Sequence, residues 1–255
     1  MSRVLPPWRT LLPAEHGSWF MLGFPLVLGL LLRPSAGGLC LGLAALAFFL
    51  ARPSLRRVLT GQRDALQFRA LLLFGALSAG FGLTALVISG WRFLIPLACV
   101  APLVLLALRA DLQRAVRSLA VELAAQGAFA GLAAAILAAG AAPLLEAGRA
   151  WLFATLVGGA NLAHVRRLLG HAHKLAAAEL DRRRIPVHVL HLLLIGASAL
   201  LLAPRGIAGL VWTGWTGLLY LRALAPYRPL PARTLGWREG GLSVLGLLLL
   251  WRALL

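Results

Sequence analysis

Nine apolar runs divide this 255-residue chain, and most of its cationic side chains collect in every second gap between them. The runs cover roughly residues 17–33, 37–51, 70–90, 92–108, 116–142, 150–169, 187–203, 206–224 and 235–255. A bilayer core takes roughly 20 apolar residues as a helix. In lipid each span must satisfy its own backbone hydrogen bonds, so the runs are expected to be helices. A water-soluble domain is excluded. With 60% hydrophobic residues and a mean hydropathy of +0.86, too few polar residues remain to cover a surface. The expected fold is therefore an all-α, polytopic transmembrane helical bundle of about nine spans, forming one domain over 1–255.

The charge orients the bundle. With the N-terminus in the cytoplasm, the inside segments hold 20 of the 25 Lys and Arg residues and the outside segments hold 5. That is the positive-inside pattern. It puts the C-terminus outside and the chain in the inner (cytoplasmic) membrane. The net charge of +17 does not mark a nucleic-acid binder, because the charges lie in short gaps rather than on one soluble face. Cys40 and Cys99 both fall in apolar runs and read as packing residues. The first run continues into the body with no small-residue cleavage site, so no removable signal is expected.

The longest polar gaps, 52–69, 170–186 and 225–236, all fall on the expected inside, so chemistry is sought there. No sequence repeat stands out. At the first span, Pro13-Ala14-Glu15-His16-Gly17-Ser18-Trp19 sets a carboxylate beside an imidazole at the membrane surface. The pair suits either an interfacial cap or a titrating, headgroup-binding site. At the fifth span, Glu122 and Gln126 share a helix face, with Arg117 as a candidate partner for Glu122. An ionisable group inside an apolar run is costly and is expected to face the bundle interior.

The sixth span ends Asn161-Leu162-Ala163-His164-Val165-Arg166-Arg167, followed by His171 and His173. Asn161, His164 and His171 fall on one face if the helix runs that far. Arg166 and Arg167 can grip phosphate oxygens. His188 and His191 open the seventh span. Five histidines at one mouth raise a haem or metal site, with His164 and His188 as haem ligands, but no Cys or carboxylate joins them at a ligand spacing, and no metal ligands are assigned. Glu239 lies near the start of the ninth span, and Asp64 and Asp111 sit among arginines in earlier inside gaps.

Two resemblances follow from these blocks. Glu15-His16-Gly17-Ser18-Trp19 is similar to the His-Gly-x-Trp signature of the YwiC-like bacterial membrane proteins, and Arg117-Ser118 with Glu122 and Leu235-Gly236-Trp237-Arg238-Glu239 resemble later blocks of that family. The nine-helix layout with polar cytoplasmic gaps is also similar to the UbiA prenyltransferase superfamily. That superfamily uses two Asp-rich motifs to hold Mg²⁺ and a diphosphate. The chain departs from the pattern: only Asp64 stands in the second gap, and Asn161, His164 and Val165 stand where a second acid is sought. The paired motifs are absent and the cofactor, Mg²⁺ included, is left unassigned.

The expected partners are the bilayer and an anionic-headed lipid or isoprenoid, held in a basic pocket over an apolar cavity. Glu15, His16, Arg56, Arg57, Asp64, Arg117, His164, Arg166 and Arg167 are the ligand-binding candidates. Glu122, Asn161 and Glu239 are the candidates for proton handling and catalysis. The expected functions are a degenerate UbiA-type lipid-handling protein and, from another class, a proton-coupled transporter or assembly factor.

Overall fold

A computed structural model of the chain describes residues 16–61, 64–113, 118–173, 175–225 and 232–255. Among these residues the structure is all-helical: α1 (His16–Leu32), α2 (Ala36–Leu59), α3 (Ala65–Ser89), α4 (Leu94–Leu112), α5 (Leu119–Ala139), α6 (Leu144–Ala172), α7 (Ala177–Leu201), a 3-10 turn (Ala203–Arg205), α8 (Ile207–Leu224) and α9 (Ala232–Leu254). Each helix contains or overlaps one of the nine apolar runs. By length and composition, five helical segments can cross a membrane: Ala36–Leu59, Ala65–Ser89, Leu94–Leu112, Leu119–Ala139 and Ala177–Arg205. Ser18–Leu32 is a shorter apolar helix. The outward residues of α3 and α7 agree with lipid as the solvent. Leu72, Val87, Leu193 and Leu200 are exposed by 53–86%, a surface that water would penalise and acyl chains would not.

Several helices run past their apolar stretch. α7 starts at Ala177, ten residues before the run at 187. Its leading turns are built from good helix formers, and Arg183 Nε reaches Glu179 Oε1 one turn back at 3.1 Å. α2 likewise continues from the apolar run through Arg52, Arg56 and Arg57 to Leu59. The polar gaps at 52–69 and 170–186 are thus largely helix ends, not loops. Side-chain caps mark three starts: Ser35 accepts from Gly38 N, Asp64 from Leu66 N and Ser118 from Val121 N.

The chain divides into two compact units, residues 1–151 and 152–255, with the boundary inside α6. In the first unit α5 is the buried element, and α1, α2 and α4 pack on it. Every residue from Ala130 to Ala139 is buried. Ile136 sits between Gly29 and Gly38, where an added Cβ would come within 3.0 and 2.9 Å of its side chain. Only glycine permits that approach. Two hydrogen bonds tie α5, one near its middle and one at its C-terminal end: Trp151 Nε1 donates to the Gly127 carbonyl at 2.9 Å, and Arg33 Nε donates to the Gly140 carbonyl at 3.1 Å.

In the second unit α8 packs on α7 and α9. Fully buried Trp212 donates to Ser198 Oγ at 2.9 Å, and Ser198 donates in turn to the Leu194 carbonyl at 2.7 Å. Gly209 lies against the Leu202 backbone carbonyl, so close that a Cβ would collide with it.

Candidate functional site

The second unit contains a small cleft of about 30 Å³. α6 contributes Asn161 and His164, α7 His191, α8 Trp212, Trp215 and Arg222, and α9 Glu239. Leu194, Leu219 and Leu242 supply apolar wall. Polar groups therefore converge from four helices onto one small, largely apolar space.

Arg222 is the hub. Its Nη2 donates to Glu239 Oε1 and lies 3.1 Å from His164 Nε2. Arg238 Nη2 also donates to Glu239 Oε1, at 3.4 Å. The Glu239 side chain is 8% exposed and that of Arg222 25%, so the pair is largely withdrawn from solvent, while Arg238 is 45% exposed. A buried carboxylate needs such partners, since its desolvation otherwise costs several kcal/mol, on the order of 5.

The contact between Arg222 and His164 fixes a proton. A guanidinium has only donors, so His164 Nε2 must present its lone pair and the ring hydrogen must sit on Nδ1. That Nδ1–H is buried with no hydrogen-bond partner among the described residues, and so are Trp215 Nε1–H and Arg222 Nε–H. All three residues line the cleft. Each buried, unspent donor costs about 1–3 kcal/mol relative to a satisfied one. Gly246 faces the Trp215 indole nitrogen, where a Cβ would stand 3.2 Å away. Behind the cleft the His191 ring is stacked on Tyr220 with centroids 5.6 Å apart, and its Nδ1 donates to the Val187 carbonyl at 2.8 Å. The Tyr220 hydroxyl is 2.8 Å from His188 Nδ1.

The sequence candidates fall in different places. Asn161, His164 and Glu239 meet at the cleft. Arg167 is buried beside it in sequence, but its Nη1 donates to the Ala223 carbonyl at 2.6 Å and ties α6 to α8. The Arg166 carbonyl accepts from Arg183 Nη1 at 3.0 Å, tying α6 to α7. His171, near the end of α6, has its pKa lowered by burial first and then by Arg167 and Arg184, which favours the neutral ring.

The remaining candidates belong to the first unit. Glu122 is half-buried in the first turn of α5, where the helix N-terminus favours a carboxylate. Arg56 lies 3.7 Å from buried Asp111, which also accepts from Arg52 at 2.9 Å. Arg57 is in the last turn of α2, and Asp64 caps α3. His16 opens α1, and its side chain lies outside the described residues, as do Glu15 and Arg117. Among the described residues, no three His, Cys, Asp or Glu side chains gather closely enough to hold a metal ion.

Sequence reasoning missed Arg222, Trp212 and Trp215 as members of one site, and met His191 only in the histidine group considered for haem or metal. Arg222 carried a usable signal: it lies within the apolar run 206–224, where a charge is expensive and demands a partner.

Comparison with known proteins places part of the chain. A family model described as YwiC-like protein matches residues 12–138. The match takes in the Glu15–Trp19 block and the segment from Arg117 to Glu122, and ends before the block at 235–239. No curated protein and no solved structure matches the chain.

Proposed function

From the premise that the amino-terminal half of this helical membrane protein is YwiC-like, we propose that the chain binds an amphiphile, an anionic-headed lipid or an isoprenoid, in the cleft of its second unit. The observation that carries this reading is the convergence of Asn161, His164 and Arg222 on a space walled by Leu and Trp side chains. N–H donors call for a guest with acceptor oxygens, and the Leu and Trp walls call for an apolar body attached to it. The arginine distribution supports a cytoplasmic-side opening in the inner membrane. Asn161 adds an amide for orientation, and Glu239 supplies the nearest carboxylate for moving a proton if the bound molecule reacts.

A photoreactive isoprenoid amphiphile tests the binding. Saturable labelling of purified protein that maps to α6, α8 and α9, and that farnesyl diphosphate or an anionic phospholipid competes away, is the expected result. Labelling spread over the lipid-facing surfaces of α3 and α7, without competition, refutes it. Adding an aromatic acceptor and Mg²⁺ to the same protein with a labelled isoprenyl diphosphate asks separately whether prenyl transfer follows.

A second reading, proton-coupled transport, rests on Glu239 as a buried ionisable group within a bundle. It requires proton-driven uptake into proteoliposomes that Glu239→Gln abolishes.

A further inference from the structure

The cleft of the second unit lies wholly outside the YwiC-like segment, residues 12–138. That segment has a polar centre of its own. The buried polar side chains described in the first unit are Ser18, Ser54, Gln67, Asp111 and Gln126, and the helix packing gathers them at one end. α1 and α5 run parallel at a constant offset, since Gly29 meets Ile136 and Arg33 meets Gly140. The same register sets Ser18 level with the turn between Glu122 and Gln126. Trp19 packs edge-on against Phe49 with ring centroids 5.0 Å apart, so α2 passes this level and carries Arg52 and Arg56 one and two turns beyond it. Ser54 Oγ donates to Gln67 Oε1 at 3.0 Å, which draws in the first turn of α3, and Asp111 comes from the last turn of α4.

We propose that this end of the first unit is a second binding site, for a phosphate-bearing head group, gripped by Arg52 and Arg56 with Asp111 as their positioning residue. Asp111 is 3% exposed and accepts from Arg52 Nε at 2.9 Å, and Arg56 Nη1 lies 3.7 Å from its other oxygen. One guanidinium balances one carboxylate, so a cation is left over at a fixed place. Arg52 meets Asp111 through Nε alone, and its two Nη groups make no hydrogen bond to the described residues. The two arginines stand four apart on α2, about 6 Å at their Cβ atoms, with side chains 32% and 42% exposed. Two guanidiniums already held at a spacing grip phosphate oxygens with little further loss of entropy. Phe48, 50% exposed, shares the face of Arg52 one turn away and offers contact to an acyl chain. A phospholipid head and a soluble phosphate monoester present the same oxygens, and the ligands below tell them apart.

The full-length detergent-solubilised protein is titrated with short-chain phosphatidic acid, diacylglycerol of the same chains and glycerol 3-phosphate. Phosphatidic acid is expected to bind saturably and at least tenfold tighter than diacylglycerol. Glycerol 3-phosphate binding as tightly supports a soluble source, and its failure to bind supports a lipid. Arg52→Gln and Arg56→Gln should each weaken phosphatidic acid about five- to tenfold. Arg69→Gln takes the same charge from an exposed position on α3 and should stay within about twofold. Asp111→Asn removes a negative charge, so a diffuse basic surface would bind more tightly, whereas a positioned pair binds about threefold or more weakly. Melting temperatures report folding, and Arg52→Lys, which keeps the charge and loses the planar fork, supplies the same contrast if Asp111→Asn does not fold. Equal loss in Arg69→Gln, tighter binding by Asp111→Asn, or no preference for phosphatidic acid over diacylglycerol overturns the site. None of these residues lines the cleft, so failure of labelling in the second unit leaves this inference standing, and its own failure leaves the cleft reading untouched.

Discussion

Removing Arg222 alone should cost the fold nearly as much as removing Arg222 and the Glu239 charge together. Arg222→Met leaves Glu239, with its side chain 8% exposed, held among the described residues only by Arg238 at 3.4 Å. Breaking a buried ion pair from one side costs about 3–5 kcal/mol. Arg238 and the 25% exposure of Arg222 place this case at about 3 kcal/mol. Glu239→Gln keeps an acceptor at Oε1 but removes the charge, a loss of about 2 kcal/mol for a charge-assisted bond. Independent effects would sum to about 5 kcal/mol. In the double variant neither charge is left buried against an apolar wall, so the expected cost is about 3 kcal/mol, a coupling of about 2 kcal/mol. Unfolding free energies of the four proteins, measured in bicelles under one condition, close the cycle. A double variant that loses the full sum, within about 0.5 kcal/mol, would show that the two side chains do not act as a pair and would remove the hub from the site.

Three further outcomes follow from the geometry and a fourth from the arginine distribution. Asp111→Asn takes the charge from the acceptor of Arg52 at 2.9 Å and Arg56 at 3.7 Å, and should lower the unfolding free energy of the protein by about 2 kcal/mol in the same assay. Gly209→Ala drives a Cβ into the Leu202 backbone and should cost about 3 kcal/mol or more, whereas Gly214→Ala, with open space around it, should stay within about 0.5 kcal/mol of wild type. His171 has a lowered pKa in the fold, so its contribution is complete above 6.5 and declines as pH falls below that value; His171→Gln should flatten the pH dependence of the melting temperature in that window. A reporter active only outside the cytoplasm should work when fused to the C-terminus and fail when fused to the N-terminus.

Helix existence was legible in the chain because hydropathy reports the stretches that avoid water. Helix length was not. The first ten residues of α7, from Ala177 to Pro186, include Glu179, Asp181 and three arginines, and no apolar window includes them, yet the ion pair between Arg183 and Glu179 and ordinary helix propensity carry the helix through. The same blindness hid Arg222. Counted as a cation in a cytoplasmic gap, it is in fact a helical residue of α8 whose position is set by Glu239, 17 positions on, and His164, 58 positions back. Asn161 and His164, three apart on one helix, were readable as neighbours from spacing alone. His171 extends that spacing but does not line the cleft. Pairing across helices depends on which faces meet, and a single sequence carries no direct signal of that.

The buried flank of α5 has a mechanical consequence. From Ala133 to Ala135, and again at Ala138 and Ala139, its side chains end in single methyl groups. Such a surface has shallow ridges, so it resists sideways separation well and axial creep poorly. Ile136 between Gly29 and Gly38, with buried Leu132 and Leu137 beside it, gives this track its few deep teeth, and the Trp151 indole and the Arg33 guanidinium act as bolts at Gly127 and Gly140. Loosening both bolts would leave a rod restrained by those few cogs, a shaft freer to slip lengthwise by a notch while its sheath stays whole.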